Sequence, residues 1–236
     1  MWGKRLGVAT ILLAGALLAG IAEAANELVV VRSNQNGLAP GDLVQRGQKL
    51  ELPGGAEITL VAADGSVMTL KGPFSGQVPA ATAGQDAGLI ATLSSLAKEQ
   101  SKQQVLGAVR GGPAPSNGVF VIDGSRAGKQ CVARGAAAEV RRAAASAPDT
   151  GTIREAKSNA EGELVWQSGQ RIAAWPANVP LVDGGDYLVR AGSRATPQRI
   201  EIRLMPADLP NDAQKIRWLA DAGCSAQAGK LLEGLR

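Results

Sequence analysis

Turn-forming residues interrupt this chain so often that most of it has no room for a long uninterrupted element. Its 236 residues include 30 Gly and 12 Pro. They gather at Asn36-Gly37, Pro40-Gly41, Pro53-Gly54-Gly55 and Asp64-Gly65. Gly reaches backbone angles that other residues avoid and Pro has no N–H to donate, so such clusters end elements. The apolar runs between them are four or five residues long, the length of strands in small antiparallel sheets. Strands are expected at 28–32, 49–52, 58–62 and 66–70. The last two form a hairpin whose register the turn decides. A two-residue Asp64-Gly65 loop would set Leu60 against Thr69 and Ile58 against Lys71, mixing apolar and polar side chains on one face. A three-residue loop Ala63-Asp64-Gly65, with Gly65 left-handed, sets Leu60 opposite Met68 and Ile58 opposite Leu70. The second register is the expectation.

The start of the chain has a different grammar. Lys4 and Arg5 precede an apolar stretch from Leu6 to Ala22, which closes on Ala22-Glu23-Ala24. A charged segment, an apolar core and small residues at a cleavage site make a secretory signal peptide over 1–24. The alternative is an uncleaved anchor, because the run approaches the roughly 18 residues a spanning helix needs. Either reading exports the remainder, and the periplasm is the expected location. Cys131 and Cys224 both lie in the exported part, and an even count in an oxidising compartment points to one disulfide. Two buried free thiols are the alternative.

Further along, Leu89, Ile90, Leu93, Leu96 and Ala97 recur at helical spacing between 86 and 104, so an amphipathic helix is expected there. Gly111-Gly112-Pro113 through Asn117-Gly118 continues neither helix nor strand, and it marks a domain boundary. Strands resume at 119–122, 130–133, 163–166, 171–175, 187–190 and 199–205. In the last of these Ile200, Ile202 and Leu204 alternate with charged residues, as in a half-buried strand. The Ala-rich stretch 135–147 is open between helix, by propensity, and strand, by context. Two short helices end the chain, the first capped by Asn211 and stopped by Gly223, the second capped by Ser225. The expected fold is therefore mainly β with flanking helices. A small β domain covers 25–83, and an amphipathic helix with a Gly/Pro linker covers 84–117. A second, sandwich-like β domain covers 118–206, and a helical hairpin covers 207–236.

The composition excludes more chemistry than it suggests. There is no histidine, which removes Ser-His-Asp and Cys-His arrangements and His-ligated zinc. The net charge of +4 falls by one without Lys4, Arg5 and Glu23, too little for a nucleic-acid surface when aromatic residues are so few. Gly124-Ser-Arg-Ala-Gly128-Lys129-Gln130 is similar in part to a phosphate-binding loop. However, it is one residue short between the glycines and has Gln130 where Ser or Thr is needed, so it reads as a hairpin turn. Asp183 and Asp186 share a loop without a third acid at calcium-ligand spacing. The Ser94–Lys98 and Ser101–Lys102 pairs are placed on the exposed side of the first helix. Trp166, Trp175 and Tyr187 are expected mainly in the second core, whereas Trp218 falls off the Ile216–Leu219 stripe and is free to pack the disulfide or meet a partner. No catalytic, cofactor-binding or metal-binding residue stands out, and no nucleotide is expected. Trp218 and Trp175 are the candidate contacts for a partner or a glycan.

Several segments of the first domain carry a resemblance. Gly41-Asp42-Leu-Val-Gln-Arg-Gly47-Gln-Lys-Leu50, Leu52-Pro-Gly-Gly-Ala56-Glu-Ile58-Thr-Leu60, Asp64-Gly65 and Leu70-Lys-Gly72-Pro73 look like the periplasmic FecR-type β domain. About 45 residues are involved, mostly turn formers and strand residues. The resemblance implies signal-relaying or accessory roles in the bacterial envelope and brings no catalytic residues with it. FecR regulators carry a cytoplasmic anti-sigma segment ahead of a membrane helix. Only five residues precede the apolar run here, so direct sigma-factor control is not expected. The chain is more similar to stand-alone exported proteins with a FecR-like domain. It is expected to be a non-enzymatic accessory or sensory protein that binds an envelope or membrane protein. A glycan or cell-wall binding module is the alternative, and a carboxylate-based hydrolase needs two acids facing each other across a cleft.

Overall fold

Strand β1 (Glu27–Ser33) pairs on one side with β2 (Leu43–Gln45) and on the other with β4 (Glu57–Ala62), which pairs in turn with β5 (Val67–Lys71). Strands β3 (Lys49–Leu52) and β6 (Phe74–Gln77) form a separate antiparallel pair. These elements belong to a computed structural model that describes residues 26–79, 86–106, 118–143 and 147–235. The expected signal segment 1–24 and most of the Gly/Pro boundary, 111–117, lie outside the described residues. Leu28, Val30, Val44, Ile58 and Leu60 bury one face of the four-stranded sheet against Leu50, Leu52 and Val78. The opposite face, through Val29 and Val61, packs on helices. This explains why β4 is buried along almost its whole length.

The β4–β5 hairpin has the expected register, with Ile58 opposite Leu70 and Leu60 opposite Met68. Gly65 takes φ 82° and donates its N–H to Ala62 O at 2.9 Å, so the three-residue loop closes as the apolar pairing requires.

Three helices form a layer on the second face of that sheet. They are α1 (Ala87–Leu106), α2 (Asp212–Asp221) and α3 (Ser225–Gly234). Leu89, Ile90, Leu93 and Ala97 of α1 meet Ile216 and Leu219 of α2 and Ala228, Leu231 and Leu232 of α3. Val119 and Cys131, from the second β unit, belong to the same core. The helix after the first β unit and the helical hairpin at the end of the chain are thus one layer, shared between the two units. Gly41 shows how closely α1 approaches: a Cβ there would lie 2.7 Å from Ser94 O. Ser94 Oγ donates to Gly41 O at 2.6 Å and is half-buried, a correction to its placement on the exposed side.

Asn211 caps α2 as expected, accepting from Gln214 N at 3.0 Å, and its amide also donates to Asp64 O at 3.1 Å. The end of α2 closes as a double-bonded turn, Gly223 N to Ala220 O at 3.0 Å and Cys224 N to Leu219 O at 2.8 Å. The second cap differs from expectation. Cys224, not Ser225, holds the N-cap position of α3 and makes no side-chain cap bond, because its sulfur is bonded to Cys131.

Asp86 fixes α1 to α2. Its carboxylate accepts from Leu89 N at 3.0 Å, capping α1, and from Arg217 Nη1 at 2.6 Å and Gln214 Nε2 at 3.3 Å, both on α2. Burial pushes this carboxyl up, but the Leu89 N–H, the Gln214 amide and the Arg217 guanidinium together hold it below its ordinary value. A carboxyl with a depressed folded pKa stabilises the protein above its unfolded value and stops doing so as pH falls through the folded one. Asp86→Ala is therefore expected to cost about 1 kcal/mol at neutral pH, mainly through the lost cap. The gap between variant and parent should narrow toward about pH 3. Urea titrations at the two pH values check this, and a gap that does not shrink in acid contradicts it.

The second β unit stacks a five-stranded sheet, in the order β11-β10-β13-β14-β8, on a three-stranded one, β12-β9-β7. The strands are β7 (Ile122–Asp123), β8 (Gly128–Ala133), β9 (Glu139–Arg141), β10 (Asp149–Glu155), β11 (Glu161–Trp166), β12 (Ile172–Ala174), β13 (Gly185–Arg190) and β14 (Gln198–Met205). Ile122, Val140, Ile153, Leu164, Trp166, Tyr187, Val189, Ile200 and Ile202 fill the space between the sheets. Within 135–147 the structure resolves the open choice in favour of strand at 139–141; residues 144–146 lie outside the described set. The expected strand 119–122 is corrected: it starts only at Ile122, and Val119 turns away into the helical core.

A basic hollow as the candidate functional site

The stretch similar in part to a phosphate-binding loop is a turn between β7 and β8, with no helix after it. Asp123 Oδ1 accepts from Ser125 N at 3.1 Å and from Ser125 Oγ at 2.6 Å. The buried Gln130 amide closes the base, donating to Asp123 O and Arg126 O at 2.9 Å each and accepting from Asp123 N at 2.6 Å. These bonds close the base of the turn, and Arg126 and Lys129 remain outside it, exposed. Parallel pairing of β7 with β9 sets Arg141 beside Asp123. From the other side α3 brings Lys230, one turn after Ala226. Between these groups lies a hollow of about 60 Å³, bordered also by Cys224 and Gln227.

The charge around this hollow is one-sided. Among the described residues Arg126, Lys129, Arg141 and Lys230 line it with one carboxylate, Asp123, while Glu233 on α3 also acts on Lys230. Among the described residues none of the four cations lies within ion-pair distance of a carboxylate. Lys230 is half-buried, and burial and the Arg141 charge push its ammonium below the ordinary lysine value against the opposing pull of Asp123. Concentrated like charge with little counter-charge raises the local potential and draws anions.

The wall behind the hollow is rigid. Cys131 on β8 is bonded to Cys224 at the α2–α3 corner, 93 positions further along the sequence. Beside the bond, the buried Gln227 accepts from Cys131 N at 2.7 Å and donates to Cys131 O at 2.7 Å and Val119 O at 2.6 Å. Its amide takes the place of a neighbouring strand along the free edge of β8, which has β14 on its other side.

The other candidates lie elsewhere. Trp175 is half-buried on the sandwich core, edge-on to Tyr187 with ring centroids 5.0 Å apart, and its Nε1 donates to Val179 O at 2.8 Å. Trp218 is half-buried against the helical core that contains Cys131 and Cys224. The two tryptophans thus serve different cores. Asp183 accepts from Leu204 N at 2.9 Å and Arg203 Nε at 3.2 Å, and Asp186 pairs with Arg199 at 2.9 Å. Glu161 and Glu163 border an open depression on the outer face of the sandwich with Arg190 and Asn178. Alternate residues of one strand stand side by side, not across a cleft from each other. Sequence reasoning named the cysteines but missed Lys230, Arg141 and Gln227. Only the cationic residues of the Gly124–Lys129 stretch signalled the place. No protein-family model and no curated protein matches the chain.

Proposed function

We propose that this protein is a non-enzymatic accessory or sensory protein of the bacterial envelope, working in the periplasm by binding a protein partner through the basic hollow. The observation that carries this reading is four cations around one cavity, none within ion-pair distance of a carboxylate among the described residues, on a wall fixed by a disulfide and by Gln227. Unpaired charge held on a rigid surface favours recognition: it steers association and loses little conformational freedom on binding. The buried disulfide suits a chain that folds in an oxidising compartment. Among the described residues no helix is long and apolar enough to cross a membrane. The FecR-like pattern of turns in the first β unit points to the same envelope setting.

The test is crosslinking in cells followed by mass spectrometry, with a photoreactive residue in place of Ala127 at the rim of the hollow. A specific envelope protein should be captured by the parent and lost with Arg126→Glu. Failure to capture one, or equal capture by the variant, removes the reading.

A further inference from the structure

The hollow has features that a protein contact surface does not need. It is a cavity rather than a flat patch, and about 60 Å³ has room for a few water molecules or one small oxyanion. Its cations come from three separate elements and converge there: Arg126 and Lys129 from the β7–β8 turn, Arg141 from β9 and Lys230 from α3. Asp123, the one carboxylate among the lining residues, has its Oδ1 engaged by Ser125 N and Oγ.

The start of α3 adds a partial positive charge. The first N–H groups of a helix have no partner within the helix and ordinarily receive a side-chain cap. Cys224 at that position makes no such bond, and Cys224 and Ala226 border the hollow. The positive end of the helix thus borders the same hollow as the four cations. The half-buried Lys230, desolvated and beside Arg141, gains the most from an anion placed there.

Building on the proposed reading of the hollow as a binding site, we infer that it takes a phosphate group, held as a dianion by Arg126, Lys129, Arg141 and Lys230. A dianion matches the net excess of positive charge better than a monoanion, and its tetrahedral oxygens can accept from donors arriving from several directions. Free phosphate and the phosphomonoester of a lipid headgroup offer the same chemistry. A nucleotide is not required, because the turn lacks the helix that a nucleotide-binding loop opens into.

Isothermal titration of the oxidised protein with inorganic phosphate tests this. Saturable 1:1 binding is expected, matched in order of magnitude by sulfate, and weaker for acetate by roughly tenfold or more. Lys230→Gln and, on the exposed turn, Arg126→Gln should each weaken phosphate binding by roughly tenfold with unchanged thermal unfolding in its absence. Arg199→Gln, on the outer face of the sandwich, should leave it unchanged. Absence of saturable binding, acetate binding as tight as phosphate, or indifference to both hollow variants overturns the inference. Cosedimentation with phosphatidylcholine vesicles containing phosphatidic acid, competed by free phosphate, would assign the group to a lipid. Phosphate binding without cosedimentation would assign it to the free ion, and both results sustain the inference. Partner capture that depends on Arg126 without phosphate binding would sink this inference alone. Phosphate binding with no partner captured would sink the proposed function alone.

Discussion

Replacing Cys131 and Cys224 together by alanine is expected to lower the stability of the protein by about 4 kcal/mol. The bond joins residues 93 apart in sequence, and closing a loop of that length removes about 4 to 5 kcal/mol of chain entropy from the unfolded state. Both cysteines are almost fully buried, with 0% and 2% of their surface exposed, so the substitution also removes packing from the helical core. For a chain of this size the loss corresponds to a fall in Tm of roughly 10 °C. Urea unfolding of parent and double variant, both kept from forming other disulfides, measures it directly. The change should also be uneven. Amides of α2 and α3 should exchange faster, because the bond fixes their corner to β8, while those of β10 and β13, held by neighbours on both sides, should change least. A midpoint shift under 1 M urea with uniform exchange would mean that the helical layer is held in place without the bond.

The elements that were legible in the sequence are those in which a local signal and the tertiary demand agree. The β4–β5 hairpin is one: turn chemistry and apolar alternation each point to the loop Ala63-Asp64-Gly65, and neither side chain nor backbone contradicts it. Strand β14 is another, with Ile200 and Ile202 inward by simple alternation. Strand β10 was not legible, because its inward positions are Gly151, Ile153 and Glu155. Gly151 stands where a Cβ would lie 2.1 Å from Arg190 O and 3.0 Å from the Trp166 ring, so a bulky neighbour fills a place that the strand itself leaves empty. Glu155 is buried because its carboxylate accepts from Lys157 N at 3.1 Å and from Ser158 N, closing the turn to β11. A hydrophobic pattern cannot register either position. Strand β9 stayed undecided for the complementary reason, since Ala-rich sequence favours helix and only pairing with β7 and β12 makes Val140 a core strand residue. The hollow was illegible as a site because its cations lie on three elements that are distant in sequence. Arg126 and Lys129 were visible as a stretch, but their approach to Lys230 depends on the tertiary packing of α3 against β8, which the disulfide, Gln227 and the shared core all join.

Gln227→Leu should destabilise the protein by about 3 kcal/mol or more, although leucine is nearly the same size and apolar. The amide lies at 8% exposure and bonds three backbone groups: Cys131 N–H, Cys131 C=O and Val119 C=O. A strand edge facing a helix has no other source of partners. Leaving a buried backbone group unpaired costs about 1 to 3 kcal/mol, and the three together outweigh the transfer gain from a leucine side chain of about 2 kcal/mol. Gln227→Glu separates this explanation from one based on volume. Ionised, the carboxylate still accepts from Cys131 N–H but sets negative charge against two carbonyl oxygens. Protonated, it regains one donor. The folded pKa of that carboxyl must therefore lie above its unfolded value, so the penalty should be largest at neutral pH and should fall as the pH is lowered through the folded pKa. Urea midpoints of parent, Gln227→Leu and Gln227→Glu, taken across that range, test the account. The leucine penalty should remain nearly constant while the glutamate penalty shrinks. If both variants follow the same pH profile, the amide is not substituting for a strand, and the edge of β8 must be satisfied in another way.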